Sequence, residues 1–127
     1  MQHAASAYAR VAQATQSPRE LEAAVLMKAA TRLQMIRDDW DGRRAELDEA
    51  LTYNRKLWTI LVTSATDAEN PLPQQVKNNI ANLALFVFNR TLAIAGEPAP
   101  DKLAVLVNIN REVAAGLRSQ AQAANAA

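Results

Sequence analysis

Residues 51–92 read LTYNRKLWTILVTSATDAENPLPQQVKNNIANLALFVFNRTL. The two densest apolar runs of the chain, Leu57–Val62 and Leu83–Phe88, both fall here, with one of the two tryptophans, both phenylalanines and two of the five prolines. Leu47, Leu51, Trp58, Leu61, Val62 and Ala65 recur at helical spacing, as do Val76, Ile80, Leu83, Val87 and Ile94. Between the two series, Asp67-Ala68-Glu69-Asn70-Pro71-Leu72-Pro73 breaks the helix, because the residue before a proline is driven out of the helical region. Two helices joined so closely lie back to back, which predicts an αα-hairpin of residues 43–66 and 73–95.

The rest of the chain extends this pattern to an all-α, single-domain bundle of about five helices. At 127 residues it has the length of one domain. Only three glycines and five prolines occur, the latter at 18, 71, 73, 98 and 100. That is punctuation between long helices; a strand-rich fold needs turn residues at shorter intervals. The domain is expected over residues 1–118, with 119–127 as a fraying tail.

Bulk properties exclude several classes. The charge is balanced, 14 basic against 13 acidic residues, so nothing suggests bulk attraction to nucleic acid or an anionic membrane. With no cysteine there are no disulfides or thiolate metal sites. No apolar run approaches the roughly 20 residues that span a bilayer, and the start lacks a signal-peptide pattern, so the expected location is the cytoplasm.

Residues 3–16 form a weakly amphipathic helix with the stripe Ala4, Tyr8, Val11, Ala12 and Thr15. It is either a loosely packed first helix or a movable arm over a partner groove. The next helix, 17–40, is the best signposted. Ser17 caps it, Pro18 suits its first position and Glu20 completes a capping box. Its buried stripe reads Leu21, Val25, Leu26, Ala29, Leu33, Ile36 and Trp40, and Gly42 stops it. The acidic run Asp38-Asp39-Trp40-Asp41 reads as a solvated helix end, not a metal site. In the hairpin's first helix, Ala50, Tyr53, Leu57 and Ile60 form a second apolar stripe, which calls for a neighbour on that side as well.

The hairpin's second helix carries Gln75, Asn78, Asn82 and Asn89 at spacings of 3, 4 and 7, hence on one side. Asparagine is a poor helix former, so a line of amides is either solvent-facing or placed to bond a partner. Phe86 and Phe88 lie about 200° apart and cannot enter one core together. After Gly96-Glu97-Pro98-Ala99-Pro100, the last helix runs from Lys102 to about Arg118 on the stripe Leu103, Leu106, Val107, Asn110, Val113 and Leu117. Val105 and Ile109 face elsewhere, and Asn110 within this stripe is a candidate buried amide.

Several blocks also carry a resemblance. They are Ser17-Pro18-Arg19-Glu20-Leu21-Glu22, Ala50-Leu51-Thr52-Tyr53-Asn54-Arg55-Lys56-Leu57-Trp58-Thr59, Asn70-Pro71-Leu72-Pro73, Asn78-Asn79-Ile80-Ala81-Asn82-Leu83 and Leu106-Val107-Asn108-Ile109-Asn110-Arg111-Glu112. In that order the chain resembles, over residues 8–117, the FlaF family of flagellar biosynthesis regulators of alphaproteobacteria. The resemblance implies a non-enzymatic cytoplasmic protein that binds flagellin and helps its export. It also implies work beside FlbT, the regulator that acts on flagellin messenger RNA.

The residues show no chemistry that conflicts with this. His3 is the single histidine, and there is no nucleophilic cysteine, glycine-rich phosphate loop or HExxH. No catalytic residue, metal or cofactor is expected. Two functions remain. One is a flagellin-binding export chaperone that takes an amphipathic terminal helix of flagellin into a groove lined by Tyr53, Leu57, Ile60, Asn78, Asn82 and Phe86. The other is a regulatory adaptor acting on flagellin translation through FlbT or RNA, with Arg43, Arg44, Arg55 and Lys56 as the basic patch. Direct RNA binding is disfavoured by the local Glu46, Asp48 and Glu49. Homodimerisation through the second face of the hairpin's first helix fits the same pattern.

Overall fold

The computed structural model describes residues 17–126, with side chains through 123. Four long helices make up the fold: α1 (Pro18–Asp38), α2 (Leu47–Ala65), α3 (Gln74–Gly96) and α4 (Ala104–Ala126). A helical turn, Trp40–Arg43, and a 3-10 turn, Arg44–Glu46, link α1 to α2; a second 3-10 turn, Pro100–Leu103, leads into α4. The expected helix over residues 3–16 lies outside the described residues. Among the described residues, no helix is long and apolar enough to cross a membrane.

The start of α1 is set by local hydrogen bonding. Ser17 Oγ accepts the Glu20 N–H at 3.2 Å, and the Glu20 carboxylate accepts the Ser17 N–H at 3.4 Å. Two otherwise orphaned donors are thereby satisfied. Ser17→Ala is expected to lower the unfolding free energy by about 1 kcal/mol, as measured by urea denaturation.

The core draws on all four helices. Leu26, Leu33 and Ile36 of α1, Leu51, Trp58 and Leu61 of α2, Ile80, Val87 and Ile94 of α3, and Leu106, Val107 and Leu117 of α4 form one buried cluster. Leu72 plugs the α2–α3 end of the bundle from the connecting loop. α1 makes its most extensive contact with α4, α2 lies between α1 and α3, and α3 and α4 touch only sparsely.

Four expectations shift at this level. The buried stripe of α1 is Ala23, Leu26, Ala29, Ala30, Leu33 and Ile36, so Leu21 and Val25 stand at its edge and Leu21 remains 39% exposed. Alanine draws the stripe round: Ala23 and Ala30 on α1 and Ala114 and Ala121 on α4 are all buried, and small side chains let two helices approach closely. Gly42 does not end the helix through a left-handed residue, since no described residue has positive φ. A Cβ there would lie 2.7 Å from the exposed Asp39 carboxylate, which reaches over to Arg43 and could swing aside. The tail expected to fray from 119 continues α4 as far as Ala126, and Ala121 anchors it at 2% exposure. Ile109, expected to face away from the core, is also buried.

Candidate functional site

Three helices meet at a buried polar centre. Trp58 Nε1–H donates to Asn110 Oδ1 at 2.8 Å. Asn110 Nδ2 donates to Asn54 Oδ1 at 2.7 Å and to the Leu26 carbonyl at 3.3 Å. All three side chains are fully buried, and Asn54 Nδ2 is left without a partner. The amide orientations follow from the network: Asn110 must turn its oxygen to the indole N–H, which leaves its NH₂ for two acceptors. This centre ties α1, α2 and α4 together, so α3 is the helix it does not hold. Asn110 was legible as a buried amide. Asn54 was not singled out, although it fills the gap between Leu51 and Trp58 in the α2 stripe.

An open apolar seam lies between α3 and α4. It is a cleft of about 330 Å³ lined by Val76, Asn79, Ile80 and Leu83 of α3 and by Glu112, Val113, Gly116, Leu117, Ser119 and Gln120 of α4. Apolar side chains form its floor, and Asn79, Glu112, Ser119 and Gln120 supply a polar rim. Gly116 keeps it open, since a Cβ built there meets nothing within 4 Å. A glycine inside a helix costs up to about 1 kcal/mol relative to alanine. Gly116→Ala is therefore expected to stabilise the fold by roughly 0.5–1 kcal/mol in urea denaturation.

The six residues expected to line one groove fall on two faces. Phe86 is 41% exposed and carries the Arg90 guanidinium 5.4 Å from its ring. With Asn82 it lies on the flank of α3 next to Asn79 and Leu83, beside the seam. Asn78 is exposed and accepts a hydrogen bond from Gln74 at 2.9 Å. Tyr53, Leu57 and Ile60 share the flank of α2 that carries Glu49, and Glu49 reaches Arg32 of α1 at 3.4 Å. Their neighbour is therefore α1, not α3. Tyr53 and Leu57 are half-buried and Ile60 is 69% exposed. The amide line Gln75, Asn78, Asn82 and Asn89 faces solvent together with Leu85 and Leu92, which are 65% and 71% exposed.

Part of the expected basic patch is engaged by neighbouring side chains. Arg43 pairs with Asp39 at 3.8 Å and Glu46 at 3.5 Å, and Arg44 stacks on the Trp40 ring at 5.7 Å. That absorbs half of the basic patch. Asp38 accepts from Gln34 at 2.8 Å. Among the described residues, no cluster of three or more His, Cys, Asp or Glu side chains could hold a metal ion.

Among the described residues, Glu22 is the titratable group that the fold perturbs. Burial lifts its carboxyl above the usual carboxylate range, and Arg19 pulls it partly back. The folded state thus holds the Glu22 proton more tightly than the unfolded state. This group's contribution to stability falls as pH rises from the ordinary carboxylate value through the folded one. Glu22→Gln is expected to raise the melting temperature at pH 7 and to leave it unchanged below a pH of about 4, where both states are protonated.

The described residues thus form a small all-α bundle with an apolar seam and a polar rim between two of its helices. In comparison with known families, residues 4–117 match the family described as flagellar protein FlaF. The chain belongs to the FlaF family, which gives it a role in flagellar biosynthesis. No match was found among curated proteins or among solved structures.

Proposed function

We propose that this protein is a flagellin-binding export chaperone and that the α3–α4 seam takes an amphipathic terminal helix of flagellin. The observation that carries the reading is the seam itself. Val76, Ile80 and Leu83 face Val113 and Leu117 across a gap that Gly116 leaves open. A helix presenting apolar residues at i, i+3, i+4 and i+7 fits such a groove. Its polar flank meets Asn79, Glu112, Ser119 and Gln120, whose donors and acceptors satisfy groups that docking would otherwise leave unpaired. Sequestering that helix in the cytoplasm would keep flagellin from premature polymerisation until export.

The competing adaptor reading, through FlbT or flagellin messenger RNA, loses support from the pairing of Arg43 with two carboxylates. Calorimetric titration with purified flagellin at low and high salt separates the two. Micromolar or tighter binding that salt changes little supports the chaperone. No binding to flagellin, with strongly salt-dependent binding to its messenger RNA, would overturn the chaperone in favour of the adaptor.

A further inference from the structure

The solvent face of α3 carries a pattern that the seam does not use. Asn78, Asn82, Leu85, Asn89, Leu92 and Gly96 follow one another at steps of 4, 3, 4, 3 and 4, and all six are exposed. That alternation is the heptad spacing of a coiled-coil contact line. The step of three runs from position a to position d, so Asn82 and Asn89 stand at a, and Asn78, Leu85 and Leu92 at d. The line lies opposite the side of α3 that sends Ile80, Val87 and Ile94 into the core, and from Asn78 to Gly96 it runs for about 27 Å. No described residue covers it: Leu85 and Leu92 are 65% and 71% exposed.

This line is unlike an ordinary wet helix face. Lys77 and Arg90 are the only charged residues among the 23 of α3. Both stand about 100° or more round the helix from the line. The flanking e and g positions hold Phe86 and Phe88 and no charged residue. The exposed sides of α2 and α4, by contrast, carry Arg55 and Lys56, and Arg111 and Arg118. Asparagine also costs helix propensity, so its repetition here is unfavourable to α3 standing alone in water.

We propose that α3 pairs with α3 of a second copy of this chain, parallel and in register, as a two-stranded coiled coil. An amide is its own complement, because its NH₂ can donate to the oxygen of an identical amide across a two-fold axis. In a parallel pair Asn82 and Asn89 each meet their counterparts, and Leu85 and Leu92 form the apolar layers between. An antiparallel pair would set asparagine against leucine and bury amides without partners. Asparagine at a, among leucines at d, is a device that fixes register and strand number. The missing charges complete the match, since a second copy brings no like charge against itself. A face about 27 Å long and about 10 Å wide is small for a permanent interface, so the pair is reversible, with Kd on the order of 10–100 μM. Pairing leaves the seam open, because Val76 and Leu83 stand about 150° round α3 from the line. The proposal therefore stands whether or not the seam takes flagellin.

Sedimentation equilibrium of the full chain from about 5 to about 500 μM reads the pairing through its concentration dependence. The mass is expected to rise from one chain towards two. Leu85→Asp with Leu92→Asp, both at exposed positions, is expected to keep one chain's mass throughout. Register is read by single cysteines, since the chain has none of its own. Asn82→Cys and Asn89→Cys, oxidised separately, are each expected to give disulfide-linked dimers, because a disulfide needs Cα atoms within about 7 Å. Arg111→Cys on α4 is expected to give at most one-tenth as much. An antiparallel pair can bring at most one of the two α3 positions onto itself. One chain's mass at the highest concentration would overturn the proposal, leaving the face to solvent or to a different protein. So would a dimer that survives both aspartates, or cross-linking at fewer than both α3 positions.

Discussion

Asn110→Leu is expected to lower the unfolding free energy by about 3 kcal/mol, the largest loss from any single polar substitution in the bundle. The two side chains have similar volumes, so the effect does not come from a cavity. It comes from what the substitution strands. Trp58 Nε1–H, fully buried, loses its acceptor at 2.8 Å, and Asn54 Oδ1 loses its donor at 2.7 Å. Each buried group left unpaired costs about 1–3 kcal/mol, partly offset by the greater hydrophobicity of leucine. Asn54→Leu makes the informative contrast. Asn110 Nδ2 would keep the Leu26 carbonyl, Trp58 would keep Asn110 Oδ1, and the donor that has no partner would disappear. Its expected cost is within about 1 kcal/mol of zero. Urea denaturation followed by far-ultraviolet circular dichroism measures both. Equal losses in the two variants would show that the centre is not held together through Asn110.

Gly116→Trp is expected to weaken flagellin binding by roughly 30-fold or more, about 2 kcal/mol, while the protein stays folded. The position tolerates a side chain because its Cβ direction is open, and tryptophan is a better helix residue than glycine. The indole would then occupy the seam between Leu83 and Val113, the space assigned to the partner's apolar face. Leu92→Asp, on the solvent face of α3, is the matched control and should leave binding unchanged. Unaltered affinity in Gly116→Trp would remove the seam as the docking site, whatever the protein binds elsewhere.

The parts of the fold that were legible in the sequence are those written in local signals. Pro71 and Pro73 mark the hairpin break, Ser17 to Glu20 spell the capping box, and Asn110 stands out as an amide in an apolar stripe. What misled was alanine. A reading weighted to large apolar residues put Leu21 and Val25 inside, whereas Ala23 and Ala30 define the buried face, and the same weakness hid the anchoring of the tail by Ala121. Asn54 escaped because a polar residue in a stripe resembles a gap until its partner, 56 positions away, is known. The candidate site was legible only as faces. Periodicity shows that Tyr53, Leu57 and Ile60 share a flank and that Asn82 and Phe86 lie on one side of α3. It does not show which neighbour each flank meets. The ion pair between Arg32 and Glu49 supplies that information, and it divides the six residues between two surfaces. The seam was not legible at all, because it exists by the sparse contact of α3 with α4, a property of no single helix.

The central claim is that flagellin occupies the seam, and hydrogen exchange of the full chain with and without flagellin tests it most directly. Slowed exchange is expected in α3 around residues 76–86 and in α4 around 112–120, with little change across the outer flanks of α1 and α2. Flagellin that binds and yet leaves both seam segments exchanging as in the free protein would contradict the account.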